Sequence, residues 1–386
     1  MVHLLLAIIY LSFISLGLPD SLLGAAWPSM YTQMSVPVSY AGILSLLISA
    51  GTIVSSLLSD RVTRKLGAGA VTAVSVAMTA AALFGFSVTK SFWLLLLWAI
   101  PYGLGAGGVD AALNNYVALH FASRHMSWLH CMWGVGASIG PYIMGCALTG
   151  GQGWQMGYRY IALIQILLSA VLFLSLPLWQ RRPDTEAGKK DGGRPLSLKQ
   201  VCFIAGAREI LLAFFCYCAM EQTTILWAST YLVRHLNLSP EDAASLASLF
   251  FLGITAGRAV SGFLTCKWSD RDMIRLGQFI VILGIGVLAL PLGRSGAMVG
   301  LLLVGLGCAP IYPCIIHSTP AHFGAENAQA IIGVQMASAY VGSLLMPPVF
   351  GLIANHISIA LFPAFLAAAT AVMILMCERL NRMKQH

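Results

Sequence analysis

The chain has 386 residues, 58% of them hydrophobic and only 9% charged, with a formal net charge of +8. A soluble domain of this length carries roughly a quarter charged residues, so composition excludes a soluble globular protein and leaves a polytopic α-helical membrane protein. In that setting the positive excess reads as a bias of loop charges toward one side of the bilayer, not as a nucleic-acid footprint.

Apolar runs of about 20 residues, each long enough to cross a bilayer as a helix, recur along the whole chain. The first, Leu4 to Trp27, lacks a basic start and contains Pro19 and Asp20, so it reads as a retained helix and not a signal peptide. Twelve helices are predicted. The first six span approximately 4–27, 39–59, 67–88, 91–119, 127–149 and 158–179, and the second six approximately 208–233, 241–265, 273–291, 297–317, 327–354 and 357–377. Between the sets lies one long polar segment, Arg181 to Gln200, whose Gly, Pro and mixed charge mark a linker. The expected organisation is an N-terminal six-helix lobe over 1–180, a linker over 181–207 and a C-terminal six-helix lobe over 208–386.

Loops on the linker side hold sixteen Lys or Arg, against four (Lys90, Arg159, Arg234, Arg294) on the other side. The linker and both termini are therefore expected in the cytoplasm. The lobes repeat each other. AGTIVSSLLSDR, from Ala50 to Arg61, aligns without gaps on AGRAVSGFLTCK, from Ala256 to Lys267, an offset of 206 residues. Gly136, Pro141 and Gly145 recur at Gly342, Pro347 and Gly351 with that offset. Parallel repeats of this kind belong to transporters that bind substrate near mid-membrane.

The stretch from Pro101 to Gly145 carries the strongest functional signal. It reads as two spanning helices joined by a basic turn at Ser123, Arg124 and His125. Asp110 and Asn114 are four residues apart and share a helical face, as His130 and Trp133 do on the next helix. An acid inside an apolar helix is costly and faces protein or a water-filled cavity. Gly103, Gly105, Gly107 and Gly108 allow a neighbouring helix to approach the same segment closely.

The motifs SDRVTRKLG after helix 2 and Gly136-x-x-x-Gly140-Pro141 in helix 5 resemble signatures of the major facilitator superfamily. In the first, Asp60, Arg61, Arg64 and Lys65 match the superfamily pattern, while Ser56 and Thr63 stand where glycines are usual; in the second, Cys146 stands where a closing glycine is usual. Within the superfamily the chain resembles the fucose–galactose–glucose:proton symporters, the fucose-permease-like subfamily. Asp20 in GLPDSLLG resembles that subfamily's helix-1 acid, and GLGAGGVDAALNNYV its helix-4 pattern, with an acid at Asp110 and an asparagine at Asn114. His130 stands at a helix-5 position that is glutamine in the subfamily's typical member. FCYCAMEQTT, Gly257-Arg258 and Tyr312-Pro313 resemble signatures of helices 7, 8 and 10. The fold this implies is an all-α major facilitator fold of 12 transmembrane helices in two pseudo-symmetric six-helix lobes.

Each candidate has a plain structural reading beside the functional one. Asp20 could satisfy backbone freed by Pro19, but two acids within helices favour function, and Asp110 is the first choice for a proton switch with Asp20 beside it. Glu221 and Gln222 bring polar groups from the second lobe, or simply satisfy one another. His130 divides evenly between ligand contact and packing. Trp133 and Trp227 suit stacking on a sugar face, although aromatic filler is commoner; Tyr312 and Gln335 are further candidates, and His317 is a weaker one. Arg258 reads as a structural partner of a facing polar group. Asp60, Arg61 and Arg64 read as a latch between the lobes on the cytoplasmic side.

The nine cysteines form no metal-ligand spacing, and Cys216-x-Cys218 reads as small buried hydrophobes. No nucleophile–His–acid set, Walker sequence or dinucleotide loop occurs, so neither an enzyme nor a cofactor or metal is expected, and transport must draw on a gradient. The function expected is proton-coupled symport of a sugar or similar small polar solute by alternating access, in the plasma membrane. A carboxyl withdrawn from water favours its neutral form, which would let a loaded carrier reorient. Proton-coupled efflux of a drug or amphiphile, sodium-coupled sugar transport, and a non-transporting sensor are the rivals. Expected partners are a sugar-like small molecule, protons and the lipid bilayer, with no nucleic acid; the expected form is a monomer.

Overall fold

The computed structural model describes residues 2–20, 22–36, 40–180, 196–238 and 240–383. Of the predicted linker, residues 181–195 lie outside the described residues, as do five of the sixteen basic residues counted above (Arg181, Arg182, Lys189, Lys190, Arg194) and a sixth, Lys384. Fourteen helices run in order among the described residues: α1 (Val2–Asp20), α2 (Leu22–Met34), α3 (Tyr40–Leu66), α4 (Ala68–Val88), α5 (Phe92–His120), α6 (Ser123–Thr149), α7 (Trp154–Gln180), α8 (Leu198–Phe203), α9 (Ala207–Leu236), α10 (Pro240–Leu264), α11 (Asp270–Ala289), α12 (Gly293–Phe323), α13 (Ala325–His356) and α14 (Phe362–Met383). Eleven stretches are long and apolar enough to cross a membrane, α1 and the start of α2 forming one; Leu249–Leu264 of α10 is a shorter apolar helix. The protein is an all-α polytopic membrane protein.

Helix ends follow local chemistry and move several predicted boundaries. The predicted loop motif after helix 2 is helical: α3 continues to Leu66 and stops at Gly67, whose φ of +80° is open to glycine. The predicted basic turn at Ser123–His125 is the first turn of α6, and the chain actually bends at Phe121–Ala122. α12 is longer than predicted because Gly324, at φ +84°, is the first residue to break it. Ser269 caps α11 by accepting from the Asp272 amide, and Ser197 with Gln200 forms a capping box on α8 within the predicted linker.

The chain forms two compact units. The described residues of the first fall within Met1–Tyr116, Leu129–Leu196 and Ala325–Met336, and those of the second within Val117–Trp128, Ser197–Gly324 and Ala337–His386. The aromatic core of the first unit joins Trp27, Phe86, Phe92, Tyr102, Trp154 and Tyr158, with the Phe86 and Tyr158 rings edge to face at 5.4 Å. Outward faces are apolar: Leu174 is 82% and Phe263 68% exposed, as befits side chains whose solvent is lipid.

The internal repeat has a packing counterpart in each unit. Gly51 of α3 meets the Gly103–Leu104 backbone of α5 at 3.2 Å from where a Cβ would stand. Its repeat partner Gly257 of α10 meets Leu306 and Ala309 of α12, and residues 103 and 309 are themselves 206 apart. Gly140 of α6 lies against the Leu18 carbonyl of α1, and Gly342 of α13 against the Phe215 carbonyl of α9. Without a Cβ at these positions, backbones touch directly, which is how helices associate where lipid removes the hydrophobic driving force.

Candidate functional site

In the first unit, three of the predicted residues form one hydrogen-bonded chain. Asn114 Nδ2 lies 2.8 Å from Asp110 Oδ1 and 2.9 Å from the Asp110 carbonyl, one helical turn back on α5. His130 Nε2 of α6 lies 3.1 Å from Asn114 Oδ1. With the amide nitrogen engaged by Asp110, the amide oxygen must accept, so His130 donates from Nε2. The imidazole also stands edge-on to Phe13 of α1 at 5.3 Å. All three polar side chains are buried: Asp110 is 4% exposed and Asn114 0%. Burial makes each of these hydrogen bonds obligatory, since an unpaired polar group here would cost about 1–3 kcal/mol.

Asp20 stands apart. Its carboxyl is exposed, and its Oδ2 accepts from Trp133 Nε1 at 2.8 Å. An indole N–H only donates, so this bond survives whether Asp20 is ionised or neutral. Asp110, buried, and Asp20, accessible, are thus both connected to α6, Asp110 through Asn114 and Asp20 directly. A second polar set was missed from sequence: Gln165 of α7 accepts from Ser15 Oγ at 2.9 Å, donates to the Ser15 carbonyl at 2.5 Å, and lies 3.4 Å from Thr79 Oγ1. The signal was available, because an uncompensated glutamine inside an apolar helix is itself unusual. Gln335 of α13 also belongs to this unit and is wholly buried.

The second unit holds a different arrangement. Glu221 Oε1 of α9 lies 3.6 Å from Arg258 Nη2 of α10. Tyr217 Oη lies 3.0 Å from the same carboxylate oxygen and 3.1 Å from the Cys308 carbonyl. Tyr217 was not among the predicted residues, although its place one turn before Glu221 pointed to it. Tyr312 packs at a tilt against Phe214 and edge-on to Tyr217, at 4.7 and 5.9 Å between ring centres. Trp227 is engaged elsewhere, donating to the Pro347 carbonyl at 2.9 Å and packing edge-on to Phe350. Gln222 is half-buried.

Asp60 pairs with Arg64 one turn on, at 2.8 Å, and not with its neighbour Arg61, which is exposed. A helix puts residues four apart on one face and adjacent residues about 100° apart. Arg64 Nη2 also donates to the Glu326 carbonyl at 3.1 Å, and Gln329 Nε2 to Ser59 Oγ at 3.2 Å. The start of α13 is thus tied to the end of α3 within the first unit. Among the described residues no group of three or more His, Cys, Asp or Glu is arranged to hold a metal.

The sequence model of the Major Facilitator Superfamily matches residues 9–208 and 210–384. The chain belongs to this superfamily of transporters. It is 24% identical over 366 residues to the uncharacterized transporter y4wD of Sinorhizobium fredii, covering 90% of this chain and 92% of that one. The E. coli fucose:proton symporter FucP, in the outward conformation, superposes with a TM-score of 0.82 at 16% identity, covering 97% of this chain and 98% of FucP. The human organic anion transporter MFSD10 gives a TM-score of 0.77 at 14% identity over 97% of this chain and 98% of that one. At these identities the structural likeness establishes the major facilitator fold of twelve spans in two six-helix lobes, and the chain resembles the fucose-permease-like subfamily within it.

Proposed function

We propose that this transporter is a secondary carrier that moves a sugar or similar small polar solute together with protons, by alternating access. The reading rests on one observation above all: an acid, an amide and an imidazole hydrogen-bonded in series (Asp110, Asn114, His130) inside membrane-spanning helices, with an accessible acid, Asp20, held by Trp133 on the same α6. The Asn114 amide can stay bonded to Asp110 Oδ1 whether or not the carboxyl carries a proton, so the proton can come and go without breaking the chain, which is what a proton switch requires. Asp110 is the coupling group and Asp20 its accessible companion. Asn114, His130, Glu221, Gln222, Tyr312 and Gln335 supply donors and acceptors suited to hydroxyl groups, and Trp133 and Trp227 supply ring faces on which a sugar can stack. That FucP is a fucose:proton symporter supports the solute class.

The same reading takes the lobes as residues 1–180 and 208–386 joined by a linker over 181–207, with linker and termini cytoplasmic in a plasma-membrane monomer, and Asp60, Arg61 and Arg64 as a latch. Purified protein in liposomes with a trapped pH dye, screened with sugars, tests it: added substrate should acidify the lumen as it enters. Solute-driven proton movement in the opposite sense would establish efflux instead, and acceleration by sodium without proton movement would establish sodium coupling.

A further inference from the structure

His317 is not drawn into either acid set. It sits on α12 with both ring nitrogens facing oxygen: Nδ1 lies 2.5 Å from Asp270 Oδ2, and Nε2 lies 3.0 Å from the Phe121 carbonyl. A backbone carbonyl only accepts, so Nε2 carries a hydrogen. Between Nδ1 and the carboxylate a second proton must lie, whichever of the two holds it. The cluster thus retains one proton more than a neutral imidazole beside an ionised carboxylate. Asp270's other oxygen accepts from Ser123 Oγ, which lies 3.9 Å from Cys314 Sγ.

Phe121 and Ser123 flank the bend between α5 and α6. That bend lies in the second compact unit, whereas most of both helices lies in the first. The cluster therefore fastens this bend to α11 and α12 of its own unit. We infer that His317 and Asp270 form a proton-operated clasp on the α5–α6 bend, a proton site separate from the acids assigned to coupling. The clasp holds while the shared proton is present. Once it is lost, a bare ring nitrogen faces either the carboxylate or the Phe121 carbonyl, acceptor against acceptor, and the bend loosens. Rising pH on that side opens the clasp and falling pH closes it. If that side is cytoplasmic and the carrier imports protons, the clasp slows uptake as the cytoplasm acidifies; only this last step rests on the proposed function.

Other titratable and charged groups around the bend are accounted for. Cys314, on His317's own helix, faces the cluster through both Ser123 and the Asp270 carboxylate, and its thiol is a donor to either. From the bend itself, His125 packs against Phe121 and Trp128, with ring centres 5.6 and 5.7 Å away. Arg124 Nε lies 3.3 Å from His125 Nε2, and Arg124 Nη1 lies 3.9 Å from Cys266 Sγ. His120, ending α5, is the remaining imidazole of the segment. On α11, Arg271 and Arg275 line a different cavity with Glu378.

Hydrogen exchange of the full-length protein, followed in peptides covering residues 117–128, tests the clasp without any transport assay, so its outcome is independent of substrate and coupling. Protection, corrected for intrinsic exchange, should fall as pH rises between about 5.5 and 8.5, by up to about tenfold per unit for a single linked proton. His317→Gln cannot span both acceptors and should give low protection at every pH. Asp270→Asn can donate its amide N–H to Nδ1 while Nε2 keeps Phe121, so it should give high protection with no pH slope. Peptides from α4 report whether each variant is folded; if His317→Gln does not fold, Asp270→Asn alone decides. A flat wild-type profile overturns the clasp. So does a slope that survives in either variant, which would move the titration to His120 or His125.

Discussion

The two units each bury an acid, and they neutralise it differently. In the first, Asp110 is met by the Asn114 amide and, beyond it, the His130 imidazole. In the second, Glu221 is met by the Arg258 guanidinium and the Tyr217 phenol. Adding a proton to Asp110 leaves its amide bond in place and puts no formal charge into the interior. Adding one to Glu221 removes the counter-charge from a buried guanidinium that stays cationic. The comparison shows two ways of holding a buried acid: Asp110 lies beside a neutral amide, whereas Glu221 lies beside a standing cation.

The largest expected effect follows from that difference. Asp110→Asn mimics the neutral acid, so the carrier should still bind solute and exchange it between equal concentrations, yet lose accumulation against a gradient entirely. Counterflow and gradient-driven uptake in the same liposomes separate the two activities. Asp20→Asn serves as the internal control, since an accessible acid touching substrate should weaken binding itself. The two acids share one unit and could titrate as a coupled pair. Proton-driven accumulation retained by both single variants would remove the first unit's claim and turn attention to Glu221.

Next in size is the stability of the second unit. Glu221→Gln leaves Arg258 buried without that counter-charge, at a cost of about 3–5 kcal/mol, whereas replacing both partners by apolar residues of similar volume should cost far less. Thermal unfolding in detergent reads this directly. An Asp110→Asn protein destabilised as much as Glu221→Gln would erase the distinction between the units. Smaller again is the effect of bulk at the helix crossings. Gly140→Leu must push α6 off the Leu18 carbonyl of α1, and Gly342→Leu must push α13 off the Phe215 carbonyl of α9. Both should lower transport rate several-fold while solute affinity holds. Wild-type exchange by a well-expressed Gly140→Leu protein would show that no close crossing exists there.

Fold was more legible than chemistry, for a physical reason. A helix that crosses lipid must satisfy its own backbone and present apolar residues over most of its length, so hydropathy marks eleven spans outright and α10 by a shorter apolar stretch. The 206-residue offset then pairs the lobes, down to Gly51 and Gly257 at matching crossings. Within one helix, spacing also sufficed: Asp110 and Asn114 share a face and do bond. Partners on different helices were harder to read. Nothing local in the sequence joins Glu221 to Arg258, Gln165 to Ser15 or His317 to Asp270, because those pairs are set by helix rotation and depth. Boundaries shifted where glycine, not hydropathy, stops the helix, as at Gly67 and Gly324.

The smallest expected effect contrasts the buried ion pair of the second unit with the half-exposed one of the first. Asp60 and Arg64 are one helical turn apart, with Arg64's side chain 34% exposed, and pairs of this kind contribute only about 0.3–0.5 kcal/mol. Asp60→Asn should therefore leave thermal stability almost unchanged, unlike Glu221→Gln. Its consequence is kinetic. Arg64 also holds the Glu326 carbonyl at the start of α13, and the Asp60 carboxylate is what orients that guanidinium. Freed from Asp60, Arg64 loses its fixed direction, and the polar tie between α3 and α13 rests on Gln329 and Ser59, beside the close packing of Gly333 on Ser56. Exchange should slow or favour one direction by a few-fold, with equilibrium affinity for solute within a few-fold of wild type. Gln329→Ala should act in the same sense and more than additively with Asp60→Asn, since both release one crossing. Loss of equilibrium binding in a normally folded Asp60→Asn protein would place Asp60 in the solute site and end its assignment as a latch.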